Sequence, residues 1–255
     1  MVRGLYTAYT GMMNQQARLD VITNNLANAS TVGYKKEGST SQAFDSMYTQ
    51  KIKDGSEGYI NRRIGKESLG VKIGETYTDY TQGSFKVTGN TLDLALEGTG
   101  FFNIEYASKS GNTLTKYTRD GSFSINNEGM LVTEDGDYLL GENGRIQLSS
   151  GAEVVVDELG NVYADEQLVD KIKLSDFEDY NYLKKFGENL YTAVDGATEK
   201  TGDGKVRQGY LEMSNINVIS EMVEMITVSR AYESSQKVVQ TMDSSLEKAV
   251  NLGKL

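Results

Sequence analysis

The sequence predicts an α+β protein: long N- and C-terminal helices forming a coiled-coil-like domain, an extended connector, and an antiparallel all-β central domain. Three observations carry this. Apolar residues recur at helical spacing at both ends of the chain, residues 35–84 are polar with little pattern, and from residue 85 short apolar runs alternate with tight-turn signals. The expected division is 1–34 plus 212–255 for the helices, 35–84 for the connector and 85–211 for the β domain.

Near the N-terminus, steps of three and four visit Leu5, Ala8, Met12, Gln15, Leu19, Ile22, Leu26 and Ala29, of which only Gln15 is polar. A 3.5-residue stripe of this kind marks a helix that seeks partner helices. Thr31-Val32-Gly33 should stop it, with Gly33 placed as a left-handed C-terminal cap. At the other end the same stepping gives Val218, Glu221, Met225, Val228, Tyr232, Ser235, Val239, Met242, Leu246 and Ala249, eight of the ten apolar. Asn215 or Asn217 can cap its start, Gly253 follows its end, and the helix should be roughly 48 Å long at about 1.5 Å per residue. Two such stripes suit either a hairpin packed on its own chain or contacts between chains.

The connector opens on Lys35-Lys36-Glu37-Gly38 and is punctuated by Gly55, Gly58, Gly65, Gly70 and Gly74. Gly70–Gly74 and Glu75–Tyr80 read as short strands or extended pieces. A loop this long is uncommon inside a compact domain, so it reads as an arm that orders against something else.

From residue 85 the strand signals begin. Thr91–Leu96 alternates like a half-buried strand, Gly98-Thr99-Gly100 breaks it, and Phe101–Glu105 resumes. Turn signals follow at Asp120-Gly121, Asn126–Gly129, Glu134–Gly136 and Glu142–Gly144, where glycine should supply the positive φ of tight hairpins. Glu153–Asp157, Asn161–Ala164 and Lys171–Leu174 continue the pattern, giving an antiparallel β domain.

Composition excludes several chemistries. The 255 residues contain no Cys, His, Trp or Pro. Disulfides, thiol nucleophiles, the usual zinc sites and Ser-His-Asp catalysis are therefore out. At the usual frequency about a dozen prolines would be expected; their absence removes slow prolyl isomerisation, which suits a chain delivered unfolded and folded at its destination. Net charge is −10, and residues 91–210 carry 22 acids against 11 bases, which argues against nucleic acid and anionic lipid as partners. The remaining residues are nearly neutral, so the ends can pack on copies of themselves. No apolar run spans a membrane and no cleavable apolar signal is expected.

No catalytic, cofactor or metal residue emerges. Gly98-Thr99-Gly100 completes neither a dinucleotide nor a P-loop pattern. The acidic turns Glu134–Asp137 and Asp157–Gly160 lack the spacing of a calcium loop. Nothing singles out a carboxylate pair for glycosidic chemistry.

Four stretches match a known family. They are Leu19–Asn28 with Thr31–Lys35, Gly89–Phe102, Tyr117–Phe123 with Gly129–Thr133, and Gln208–Asn217 with Glu221–Ile226 and Arg230–Tyr232. They span both ends and the middle. On these residues the chain resembles the axial proteins of the bacterial flagellum, the basal-body rod and hook group. Gly70–Gly74 is most like the distal-rod branch, and Thr91 stands where many relatives have proline.

The resemblance implies a structural subunit, not an enzyme, without cofactor, located in the flagellar basal body. It implies copies of itself in a helical tube, neighbouring rod and hook proteins and the flagellar type III export apparatus as partners, with no nucleic acid and no membrane insertion. It also implies terminal helices that are largely disordered until they assemble. The assembly contacts would come from Leu5, Met12, Leu19, Ile22 and Leu26 on the first helix. Val218, Met225, Val228, Tyr232, Val239, Met242 and Leu246 would supply them on the second. Asn24, Asn25 and Asn28 would fix register through buried hydrogen bonds or else face solvent. Gly33 would turn the chain outward and Tyr34 would pack at that exit. A proximal-rod or hook-type subunit is the nearest alternative. A monomeric exported binding module with a helical stalk, and a hydrolase with unseen carboxylates, are readings of other classes.

Overall fold

A computed structural model describes residues 2–50, 63–107, 113–149, 151–187 and 189–253. They fall into two compact units: the terminal helices with residues 37–78, and residues 27–36 with 79–217.

In the first unit, α1 (Val2–Ala27) and α2 (Val218–Leu252) run antiparallel to each other. At about 1.5 Å per residue they are roughly 39 and 52 Å long. Gly4 lies so close to Met242 that a Cβ there would come 2.5 Å from Met242 Cε, and a Cβ on Gly11 would lie 3.7 Å from Ser235 Oγ. Further along, Arg18 Nη2 bonds Glu224 Oε1 at 2.9 Å and Asn25 Nδ2 donates to Glu221 Oε2 at 3.2 Å. Steps of seven up α1, at 4, 11, 18 and 25, meet positions 242, 235, 224 and 221 in descending order on α2, an antiparallel seam. Glycine inside a helix costs about 1 kcal/mol relative to alanine. Both helical glycines of α1 sit on this seam, and at Gly4 the missing Cβ makes room for Met242.

The expected end of α1 is corrected. The helix stops at Ala27, short of Ala29, in a turn where Thr31 N–H bonds the Asn28 carbonyl at 3.2 Å. Gly33 does have a left-handed backbone, φ +69°, but it lies six residues past the helix and caps nothing. Its N–H bonds the Glu212 carbonyl at 2.8 Å, and a Cβ would collide with the backbone of Arg119 and Asp120.

Residues 37–78 form a two-stranded arm. Strands β1 (Glu37–Ala43) and β4 (Val71–Thr78) pair antiparallel with a bulge between Ser39 and Ser41. Strands β2 (Met47–Gln50) and β3 (Arg63–Glu67) pair in turn. The two pieces expected over 70–80 are thus one continuous strand, because β1 supplies a partner for its whole length. Gly55 and Gly58 lie outside the described residues.

The second unit is built of antiparallel ladders. Strand β5 (Phe85–Val87) pairs with Tyr210–Glu212, and β6 (Leu94–Glu97) with Lys205–Gln208. The hub is β7 (Phe101–Ala107). Along one edge it pairs with β8 (Thr113–Thr118); along the other it pairs in succession with Leu174–Phe177 and Tyr138–Gly141. Side chains alternate along a strand, so adjacent Phe101 and Phe102 enter different cores. Phe102 joins Leu96, Ile104, Leu139, Ile172 and Val206, whereas Phe101 joins Tyr117, Phe177, Leu183 and Tyr191.

Two expectations are corrected here. Leu94, Ala95 and Leu96 are all buried, so β6 is covered on both faces and does not alternate. Gly129, Gly136 and Gly144 have positive φ as expected, but Gly121 does not. Glycine stands at 121 because any Cβ would overlap the Leu94 carbonyl.

Candidate assembly interface

The structure brings the two heptad stripes together within one chain. Ile22 and Val228 are buried, and Leu5, Met12, Leu19, Leu26, Met225, Tyr232, Val239, Met242 and Leu246 are half-buried. Val218, at the start of α2, is exposed. Of the three asparagines, Asn24 is exposed, Asn28 is half-buried and accepts from Thr31 Oγ1 at 3.2 Å, and Asn25 is buried. Asn25 does more than bridge to Glu221. Its Nδ2 donates to the Glu37 carbonyl at 2.8 Å and its Oδ1 accepts the Glu37 N–H at 3.0 Å, so its amide pairs with β1 as another strand would. At the start of α2, Asn217 holds the capping position. Asn215 is committed elsewhere, accepting from Lys36 N–H at 2.8 Å and donating to the Asp79 carbonyl at 2.9 Å.

Gly33 and Tyr34 are buried in the β unit, with Lys185 Nζ 3.8 Å from the centre of the Tyr34 ring. Beside them lies an ionic node the sequence did not announce. Lys35 Nζ bonds Glu212 Oε1 at 2.6 Å and Arg119 Nη1 bonds Glu212 Oε2 at 3.2 Å; all three side chains are 4% exposed or less. Backbone groups add to it. Lys35 also donates to the Thr81 carbonyl at 2.8 Å, Arg119 Nη2 to the Gly98 carbonyl at 2.8 Å, and Gly83 N–H to Glu212 Oε1 at 2.9 Å. Burial pushes the Lys35 ammonium below its ordinary pKa, against the opposing pull of Glu212. A buried charge survives only when paired and hydrogen-bonded, and each member here is.

Sequence reading also missed two faces of the helices. One is polar: Arg3 bonds Glu67 at 2.6 Å, Thr7 Oγ1 the Leu69 carbonyl at 3.4 Å, and Asn14 Nδ2 donates to Ser41 Oγ at 2.9 Å. With Asn25 these residues seat the arm along α1. The other is apolar and exposed. It comprises two separate patches, Ile219, Met222, Val223 and Ile226 on α2, and Tyr6, Tyr9 and Met13 on α1. Their i, i+3, i+4, i+7 spacing was the available signal, obscured by the heptad stripe beside it.

Among the described residues no group of three or more acidic side chains is placed to hold a metal ion, and no helix is long and apolar enough to cross a membrane.

Three family models match the chain. "Flagella basal body rod protein" covers residues 5–35, "Flagellar hook protein FlgE/F/G D1 domain" 95–164, and "Flagellar basal body rod FlgEFG protein C-terminal" 207–252. Among curated relatives, the flagellar basal-body rod protein FlgG of Bacillus subtilis is 36% identical, the match covering 99% of each chain. The chain belongs to the flagellar basal-body rod protein family. FlgG of Caulobacter vibrioides is 35% identical over 96% of this chain and 97% of its own. The flagellar hook-basal body complex protein FlhO of Bacillus subtilis is 33% identical over the whole of both. As a member of the rod family the chain is a structural subunit of the flagellar basal body and not an enzyme. Membership of a self-assembling rod family also gives the ionic node a context. Its three charges come from three of the four stretches that carry the resemblance: Lys35 from the first, Arg119 from the third and Glu212 from the fourth.

Proposed function

We propose that this subunit builds the distal segment of the rod and transmits torque from motor to hook. Copies pack through their paired terminal helices into a helical tube and meet neighbouring rod and hook proteins at its ends. Residues 1–34 and 212–255 are the assembly layer, 35–84 the connector and 85–211 the outer domain. The chain reaches that place unfolded through the flagellar type III export apparatus. One observation carries the reading. The predicted stripe residues close α1 onto α2, and the resulting pair still leaves two apolar patches uncovered, Ile219–Ile226 on α2 and Tyr6–Met13 on α1. A rigid two-helix element with an apolar exterior is what a stacked tube needs. The absence of proline accords with delivery through a narrow export channel.

Complementation tests this. In a strain lacking its own copy, the full chain should restore swimming and be recovered in purified basal bodies. A chain ending before Val218 should do neither. Swimming and basal-body recovery of the truncated chain would favour the binding-module reading, in which the helices are only a stalk.

A further inference from the structure

The two exposed apolar patches differ in composition and in position along the helix pair. On α2, Ile219, Met222, Val223 and Ile226 share one face, and Ile219 is 76% exposed. On α1, Tyr6, Tyr9 and Met13 share another, each about half exposed. The seam register sets Ile219–Ile226 beside the last two turns of α1, because Glu221 meets Asn25. It sets Tyr6–Met13 beside the stretch of α2 between Ser235 and Met242. The patches are therefore near opposite ends of the paired region, roughly 20 Å apart at about 1.5 Å per residue. Neither is charged. The acids interleaved with the α2 patch are turned away, Glu221 buried against Asn25 and Glu224 bonded to Arg18.

We infer that these patches are complementary: the Ile219–Ile226 face of one chain seats on the Tyr6–Tyr9–Met13 face of a second copy. This rests on the reading that copies assemble through the helix pair, and it assigns the contact to a face outside the heptad seam. Unlike patches at opposite ends join copies head to tail and leave the series open, which a symmetric contact would not do. The absence of charge leaves apolar burial as the driving force.

The chain has no cysteine of its own, so crosslinks are unambiguous. Differently tagged Tyr9→Cys and Val223→Cys chains are co-expressed in cells lacking the native protein. The cells are treated with a short bis-maleimide, and basal bodies are isolated. A dimer carrying one copy of each tag, formed only when both variants are present, is the expected result. Incorporation of both chains without a mixed dimer, or like-with-like dimers from either variant alone, overturns the proposal while leaving the assembly reading intact. Absence of even the unsubstituted chain from basal bodies overturns both. A second variant, Val223→Lys, should lose at least tenfold in basal-body recovery with an unchanged far-UV circular dichroism spectrum. Normal recovery of that variant also overturns the proposal.

Discussion

Asn25 and Glu221 meet across the helix seam at 3.2 Å, both 1% exposed, and the same asparagine amide holds the Glu37 backbone from two sides. One side chain thus ties α1 to α2 and to the arm. Removing it takes one hydrogen bond from Glu221 and two from the Glu37 backbone, each worth about 0.5–1.5 kcal/mol net. Asn25→Ala should lower stability by about 2–4 kcal/mol in urea unfolding of the full chain followed by far-UV circular dichroism. A loss under about 0.5 kcal/mol would show that the amide is dispensable.

Two glycines make opposite predictions. At Gly11 a Cβ meets Ser235 Oγ at an ordinary 3.7 Å and the backbone is helical. Gly11→Ala should therefore stabilise by about 0.5–1 kcal/mol. At Gly33 the backbone is left-handed and a Cβ would strike the backbone of Asp120. Gly33→Ala should destabilise by about 2 kcal/mol or more. Thermal melts of the two variants should move in opposite directions; a shared direction would contradict the geometry.

The ionic node predicts an order of effects. Glu212→Gln leaves two buried cations without their anion, a loss of about 3–5 kcal/mol. Lys35→Met leaves the Arg119–Glu212 pair in place and should cost less. Denaturant titration of both variants checks the order, and a larger loss from Lys35→Met would overturn it.

Alkaline pH should weaken the β unit through its tyrosines. Burial, reinforced by a 2.7 Å bond to Asp176, pushes the Tyr180 phenol up to about 12 from 10.0. Burial does the same for Tyr117, with Glu199 adding to it. A raised pKa means the folded state holds its proton longer than the unfolded chain does. The stabilisation is complete below pH 10 and is lost as pH rises towards 12. Tyr180→Phe should flatten the decline in melting temperature over that interval. An unchanged slope would rule out Tyr180 as a source of the decline.

The two-residue turn joining Asn161–Ala164 to Gln167–Lys171 is made by Asp165 and Glu166, with φ of +49° and +66°. Both values are unfavourable for these residues, and Asn-Gly is the pair such turns prefer. The double change Asp165→Asn, Glu166→Gly should raise stability by about 1 kcal/mol. The new Asn keeps the oxygen that accepts from Glu153 N–H. A rise in urea midpoint at constant slope is the expected reading; a fall would mean the native acids make a contact worth more than the turn strain.

Much of the site was legible as pattern. Leu19, Ile22, Val228 and Val239 were readable because a helix seam repeats every seven residues, and each member reports on the next. The second apolar stripe, Ile219 to Ile226, has the same kind of spacing, but it covers only two turns beside a heptad stripe that runs the length of the helix. Lys35, Arg119 and Glu212 were readable only as members of family motifs. A lysine in Tyr34-Lys35-Lys36 looks like any solvated charge, and nothing local says that its partner lies at 212.

The sequence by itself determined the two helices, the antiparallel β character of the middle and the family. Helix stripes, turn glycines and motifs are local or periodic, and a chain read in order displays them. Only the tertiary structure decided that the two stripes face each other and that the polar face of α1 carries the arm. It alone decided that Gly33 serves a close backbone approach and not a helix cap. Those outcomes depend on pairings such as Asn25 with Glu221, between residues distant in the chain. The energy of such a contact appears only once the fold has brought the partners together and removed their water.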